Sequence, residues 1–132
     1  NVDIFGKNLV INLVKNPTGL NQVIDLVMLE EKPVSLICLL NDNYADGLDV
    51  SWIYDSYYEK LRNLDIRDVY VSGKRKKDMK RRLEIAEIFE GEIKEFDYEE
   101  EIKDLIKNAN TDNAYILSTY TAMLKLREVL AL

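Results

Sequence analysis

The segment from Leu39 to Asp55, LLNDNYADGLDVSWIYD, concentrates the side chains of this chain that could do chemistry. Its seventeen residues include four aspartates, two asparagines, one glycine and the only tryptophan. Clustered carboxylates serve either as cation ligands or as acids and bases in catalysis. The chain has no histidine and a single cysteine, so it cannot assemble a complete nucleophilic triad by itself. The aspartates therefore need another chemical explanation.

Three familiar chemistries fit this pattern poorly. A calcium loop closes with a glutamate, and Asp42, Asp46 and Asp49 have none at the EF-hand distance, so no metal site is expected. A glycosidase-like carboxylate pair is possible in principle, but a small open sheet leaves little room for a sugar cleft. The segment SGKRKK (72–77) lacks the Gly-x-x-x-x-Gly-Lys-Ser/Thr spacing of a phosphate loop. The basic run 74–82 is expected to form a solvated helix face, with contact to an anion or a partner as the alternative.

Composition sets wider bounds on the function. A chain of 132 residues with a net charge of −6 is predicted to form a single domain, 1–132, that does not bind nucleic acid. No apolar run approaches the roughly 20 residues of a transmembrane segment. Cys38 lies inside the apolar run VSLICLL, so it is expected to be buried, and a single cysteine fits a cytoplasmic location. The chain lacks an initiator Met and is expected to be a piece of a longer protein.

Apolar and amphipathic segments alternate along the chain. VSLICLL (34–40) has no polar alternation, which is typical of a strand covered on both faces. Other strands are predicted at 8–14, 68–73, within EIKEFD (92–97) and at 114–118. Helices are predicted at about 20–31, 56–63, 75–89, 99–108 and 119–130. This alternation predicts an α/β, Rossmann-like fold with a mainly parallel sheet and helices on both faces.

In such a sheet, ligands bind beyond the carboxyl ends of the strands. Three polar turns are expected there, KNPTG (15–19), the acidic loop from residue 41 to residue 49, and STYT (118–121). The candidate substrate or partner contacts are Lys15, Asn16, Thr18, Asn41, Asp42, Asn43, Asp46, Trp52, Tyr54, Asp55, Thr119 and Tyr120. The alternative is ordinary turn and capping chemistry, in which Asn16 or Thr18 caps the first helix and Thr119 caps the last. Trp52 and Tyr54 are equally compatible with core packing and with an interface.

Four segments together carry a family resemblance. LVKNPTGLNQV, LLNDNYADGLDVSWIYD, VSGKRKKDMKRRL and LSTYTAMLKLREVL resemble the C-terminal domain of MurT-type proteins, the Mur-ligase-like subunits of lipid II isoglutaminyl synthases. The resemblance covers essentially the whole chain, with KNPTG in the place of the NPDS-type turn of ordinary Mur ligases. It implies a Mur ligase C-terminal fold. It also implies that the ATP-binding domain with its ATP and Mg²⁺, and the zinc ribbon, are absent from these residues, so that the isolated domain holds no cofactor and is inactive.

The resemblance further implies a heterodimer with a GatD-like glutaminase subunit. The whole enzyme would use ATP and glutamine-derived ammonia to amidate the α-carboxyl of D-glutamate in the lipid II stem peptide. Asp49, in DGLDVSW, matches the aspartate that completes a Cys–His–Asp triad in the partner's active site. Two alternatives stay open from the residues, a non-catalytic interaction module and a Rossmann-like domain that binds a small nucleotide. The second lacks the Gly-x-Gly-x-x-Gly fingerprint.

Overall fold

The structure is a computed structural model, and it describes residues 1–43, 46–47 and 49–132. Within these residues the strands are β1 (Val2–Ile4), β2 (Lys7–Leu13), β3 (Val34–Leu39), β4 (Ile66–Ser72), β5 (Lys94–Glu95) and β6 (Asn113–Ser118). The α-helices are α1 (Pro17–Val27), α2 (Lys76–Ala86), α3 (Tyr98–Lys107) and α4 (Tyr120–Val129). Two short 3₁₀ helices, Ser51–Asp55 and Tyr58–Asn63, follow the acidic loop and are called the 3₁₀ pair. No helix of the described chain is long and apolar enough to cross a membrane.

The strands form one sheet in the order β1-β2-β6-β3-β4-β5. Only β1 and β2 pair antiparallel, and the other four pairings are parallel. The predicted Rossmann-like, mainly parallel fold is therefore confirmed. Sequence analysis missed β1, which joins β2 through a two-residue turn with positive φ at Phe5 and Gly6. That turn is hard to recognise because phenylalanine rarely adopts a left-handed backbone.

Helices cover both faces of the sheet, and every residue of β3 and of β6 is buried. One core forms under α1, α2 and the 3₁₀ pair, with Ile24, Ile53 and Leu83 fully buried. The other forms under α3 and α4 around Ile102 and Leu126. Burial on both faces explains the continuous apolar run of β3, because neither face of this strand meets water.

Several helix bounds differ from the prediction. The first helix ends at Val27 rather than near Glu31, and α2 ends at Ala86, where Glu87 takes a left-handed conformation. The helix expected at 56–63 is the 3₁₀ helix Tyr58–Asn63, and the other 3₁₀ helix, Ser51–Asp55, was not predicted. Asn16 caps α1, since its side chain accepts a hydrogen bond from the Gly19 N–H at 2.8 Å. Capping by Thr18 is wrong, because Thr18 already lies inside the first turn.

Arg82 is the exception to the prediction that the basic run 74–82 is a solvated face, since Lys74, Lys77 and Arg81 are exposed. This side chain is only 4% exposed. It donates hydrogen bonds to the carbonyl oxygens of Ile53 (3.0 Å) and Ser56 (2.6 Å) and pairs with both carboxylate oxygens of Glu59 at 2.8 and 2.9 Å. Its guanidinium also lies 5.3 Å from the Tyr58 ring centre. Arg82 follows Met79 by three positions on the buried face of α2, and it fastens the 3₁₀ pair to that helix.

This ion pair predicts a pH dependence of stability. The Arg82 hydrogen bonds hold the pKa of Glu59 below its ordinary value. The stabilisation is therefore complete above the unfolded-state pKa of glutamate, about 4.3, and is lost as the pH falls through the lower folded-state value. We expect Glu59→Gln to melt at a lower temperature than wild type at pH 7, with the gap shrinking below about pH 4. Thermal unfolding followed by circular dichroism measures this gap, with Glu84→Gln on the exposed side of α2 as control. A gap that stays constant down to pH 3 would contradict the assignment.

Candidate functional site

The carboxyl ends of the central strands lie level at one edge of the sheet. Ser118 is in register with Leu13 on one side and with Leu39 on the other, and Leu39 is in register with Ser72. The turns after β6 and β3 are therefore neighbours, joined by a hydrogen bond from the Thr119 N–H to the Leu39 carbonyl at 3.0 Å. The KNPTG turn follows β2, on the far side of β6 from the acidic loop, and Lys15, Asn16 and Thr18 are exposed there.

Asn41 links three elements at this edge and is only 5% exposed. Its N–H donates to Thr119 Oγ1 at 2.9 Å, its Nδ2 donates to Thr121 Oγ1 at 3.1 Å, and its Oδ1 accepts from the Lys74 N–H at 2.9 Å. Gly73, just before Lys74, has φ +99°, and a Cβ there would overlap the Leu40 carbonyl oxygen. Asn41 is thus a structural junction between β3, the turn after β4 and α4.

Asp46 caps α4 from outside the helix. It is 9% exposed, and its Oδ1 accepts from the Thr121 N–H at 2.7 Å while its Oδ2 accepts from the Thr121 hydroxyl. The same hydroxyl accepts from the side-chain amides of Asn41 and Asn43 at 3.1 and 3.0 Å. We call the contact between Asp46 and Thr121 the Asp46–Thr121 clamp.

The prediction that the Thr119 side chain caps α4 is wrong. Thr119 occupies the N-cap position, but its hydroxyl accepts from the buried Asn41 N–H instead. Thr121 was missing from the candidate contacts. Seventy-five positions separate it from Asp46, and no local sequence signal connects residues that far apart.

The loop aspartates have different surroundings. Asp42 pairs with Arg75 Nη1 at 3.1 Å. The hydrogen bonds that Arg75 makes with Asp78, the larger cause, and with Asp42 raise the pKa of its guanidinium. Asp46 caps the first turn of α4, and Asp49 and Asp55 are exposed to solvent. Among the residues that the structure describes, no group of three His, Cys, Asp or Glu side chains is close enough to hold a metal ion. The cluster seen in the sequence is therefore divided among separate tasks.

Asp49, like Asp55, has an exposed carboxylate. Its Oδ1 accepts a hydrogen bond from the Ser51 N–H at 2.9 Å. The hydrogen bonds from Ser51, backbone first and hydroxyl second, lower the pKa of Asp49 below its ordinary value. The group is thus ionised at neutral pH, oriented by a local turn and open to solvent. Tyr44, Ala45 and Leu48 of the same motif lie outside the described residues.

The aromatic residues that follow are also divided. Trp52 is half-buried and packs against the core beneath α1 and α2, whereas Tyr54 and Tyr57 are 46% and 60% exposed. Tyr120, the first residue of α4, is exposed as well. The exposed tyrosines present apolar rings with polar tips to solvent, and tyrosine is enriched at protein interfaces.

A polar cleft of about 470 Å³ opens between the ends of β3, β4 and β5 and the first turns of α3 and α4. Asn41 and Asn43 are the candidate residues that line it. Three lysines (Lys74, Lys76 and Lys125) and two acids (Asp97 and Glu99) share the wall, so its charge is mixed. Lys15, Asp46 and Asp49 do not line this cleft, and the candidate contacts therefore do not converge on one cavity.

A parallel sheet covered on both faces, with polar turns along its carboxyl edge, defines a Rossmann-like α/β domain. The family model for the MurT ligase C-terminal domain matches residues 13–123, and the chain belongs to this family. The family predicted from the four sequence segments is thus confirmed.

Two relatives carry the same description, "Lipid II isoglutaminyl synthase (glutamine-hydrolyzing) subunit MurT". The chain is 42% identical to the Streptococcus pneumoniae R6 protein over 128 residues, which cover 97% of this chain and 29% of that protein. It is 45% identical to the Staphylococcus aureus COL protein over 83 residues, which cover 62% of this chain and 19% of that protein. The chain therefore spans less than a third of the length of these relatives.

The placement of Trp52 leads to a stability prediction. Trp52→Ala should lower the free energy of unfolding by about 2 kcal/mol, less than the roughly 3–5 kcal/mol of a fully buried aromatic residue, because part of the ring is in water. Tyr54→Ala in the same 3₁₀ helix should change it by less than about 0.5 kcal/mol. Urea unfolding followed by circular dichroism distinguishes the two. Equal losses in both variants would show that Trp52 packing does not hold the 3₁₀ pair.

Proposed function

We propose that this domain docks a glutaminase subunit and supplies Asp49 to its catalytic triad. The chain has no histidine. Its one cysteine, Cys38, is buried in β3, and burial raises the pKa of its thiol to about 12. A thiol of this kind is not a nucleophile at neutral pH. Hydrolysis of glutamine, which the names of the relatives include, would then require a cysteine and a histidine from another chain.

The single observation that carries the proposal is the state of Asp49, which is exposed, ionised and held by Ser51. In nucleophilic triads an aspartate accepts a hydrogen bond from one imidazole nitrogen, selects the tautomer and stabilises the imidazolium. Asp49 would do this for the partner's histidine. That histidine would take the cysteine proton and later deliver a proton to the departing ammonia.

The ammonia would then serve the ligase reaction of the whole subunit. There, ATP would activate the α-carboxyl of D-glutamate in the lipid II stem peptide, and ammonia would convert it to D-isoglutamine. The chain spans less than a third of the length of the relatives that it matches, and the sequence has no phosphate loop. We therefore assign ATP, Mg²⁺ and the zinc ribbon to the remaining length of the subunit. The proposal also places the enzyme in the cytoplasm, where ATP is available.

The surface beside Asp49 suits docking of the glutaminase. Tyr54 and Tyr57 are exposed on the 3₁₀ pair, and tyrosine is a frequent anchor at interfaces because it buries a large area with few rotatable bonds. The same tyrosines would equally serve an interaction module without a catalytic part. The effect of changing Asp49 on hydrolysis separates these two functions.

The decisive variant is Asp49→Asn. An amide in place of the carboxylate favours the wrong imidazole tautomer, and the equivalent change in a serine protease lowers kcat about 10⁴-fold. We expect glutamine hydrolysis by the assembled two-subunit enzyme to fall by orders of magnitude, while folding and complex formation are kept. Release of glutamate measures the rate, and size-exclusion chromatography measures the complex.

The matched control is Asp104→Asn, at an exposed position of α3. It should hydrolyse glutamine at the wild-type rate. If the complex carrying Asp49→Asn also kept the wild-type rate, the triad role would be wrong, and the domain would be an interaction module only.

Lys15 tests the other end of the polar edge. It is exposed just before α1, where a cation does not help the helix dipole but favours a bound carboxylate or phosphate. Lys15→Ala in the whole enzyme should lower the rate of lipid II amidation with little change in melting temperature. Lys103→Ala, an exposed lysine of α3, is the control. An unchanged amidation rate would assign Lys15 to the solvated surface.

A further inference from the structure

We propose that the Asp46–Thr121 clamp is the positioning device that holds Asp49 in place for the partner's histidine, an inference that rests on the proposed function. Thr121 does not contact the reacting atoms. It acts through Asp46, which precedes Asp49 by three positions. An extended chain spans at most about 3.6 Å per residue, so the Cα atoms of Asp46 and Asp49 are within roughly 11 Å of each other.

The polar atoms of the clamp have several hydrogen-bond partners. The Thr121 hydroxyl has one proton, which it donates to Asp46, and its oxygen accepts from the amides of Asn41 and Asn43. Asp46 also accepts from the N–H groups of Thr121 and Asn43. A carboxylate that is nine-tenths buried and held by three donors has little freedom to move. The clamp thus holds Asp46 against the first turn of α4.

The residues that follow Asp49 are attached to the other face of the sheet. Val50 is buried, and Arg82 of α2 holds the carbonyl oxygens of Ile53 and Ser56. The chain therefore leaves β3, is tied to α4 at Asp46, and is next tied to α2 beyond Asp49. Asp49 lies between these two attachments, beyond the carboxyl ends of β3 and β6. The connections that follow these two strands pack on opposite faces of the sheet.

Loss of one hydroxyl would loosen the first attachment. Thr121→Val keeps the shape and the backbone N–H but removes the proton given to Asp46 and the acceptor used by two asparagine amides. Misplacement of a catalytic group by about 1 Å can cost about 100-fold in rate. We expect Thr121→Val to lower kcat for glutamine hydrolysis by about tenfold or more, while KM for glutamine, which the glutaminase binds, changes by less than about twofold.

The experiment uses the full-length subunit assembled with its glutaminase, with kcat calculated per assembled complex after size-exclusion chromatography. Thr121→Ser keeps the hydroxyl and should recover most of the lost rate. Thr111→Val is the matched control, because Thr111 is a buried threonine whose hydroxyl bonds Ser35 and the Asn113 carbonyl near the start of β6. It should lower the melting temperature without lowering kcat. Asp46→Asn replaces Thr121→Val if that complex does not assemble.

A double-mutant cycle distinguishes positioning from general loosening. If Thr121 acts through Asp49, Thr121→Val should have little further effect on hydrolysis in a chain that already carries Asp49→Asn. The same fold loss in both backgrounds, or an unchanged kcat in Thr121→Val while Asp49→Asn abolishes hydrolysis, would overturn the clamp and leave the triad role standing. Full hydrolysis by Asp49→Asn alone would instead overturn the proposed function, and the clamp with it.

Discussion

The parallel pairing of β3 with β6 is the constraint on which the rest of this structure depends. The six residues of each strand are all buried and pair in register from Val34–Asn113 to Leu39–Ser118. Because neither face of either strand can meet water, helices have to cover both sides of the sheet. Because the register is continuous, the two strands end at the same level. The turns that follow them are thereby brought into hydrogen-bonding contact.

That contact makes the carboxyl edge of the sheet a cross-linked surface. Asn41 joins β3, α4 and the turn after β4 through buried and partly buried hydrogen bonds with Thr119, Thr121 and Lys74. Each donor or acceptor in such a network is costly to leave unpaired, so the network restrains the residues that it joins. Asp49, with its exposed carboxylate, follows Asp46 of this network by three positions. Rigid support of this kind is what a residue needs to complete the active site of another chain.

The same architecture decides which catalytic groups this domain could contribute to a site shared with another chain. The only thiol, Cys38, lies within β3, where packing protects it from reaction and burial holds it in its protonated form. An aspartate at the surface, by contrast, stays ionised and needs only to be oriented. A chain without histidine can therefore contribute an acid to catalysis, but not a nucleophile or a general base of the imidazole type. This physical asymmetry is why the proposed function assigns the domain a supporting part in a shared triad.

The sequence by itself determined most of the elements, though not β1, and it determined the α/β class and the family. Apolar periodicity and the run at β3 are local signals, and the order of such signals is enough for a mainly parallel sheet. The sequence also singled out Asp49, through its resemblance to a family, and it left Asn16 and Thr18 as alternative caps, of which the structure shows Asn16. Only the tertiary structure decided that Thr121 pairs with Asp46 and that Arg82 is buried against Glu59. It also decided that the Thr119 hydroxyl accepts a hydrogen bond from the Asn41 N–H instead of capping α4. The reason is that these contacts join residues from 23 to 78 positions apart. Whether a polar side chain turns to solvent or inward depends on which distant donors and acceptors the packed core leaves without partners.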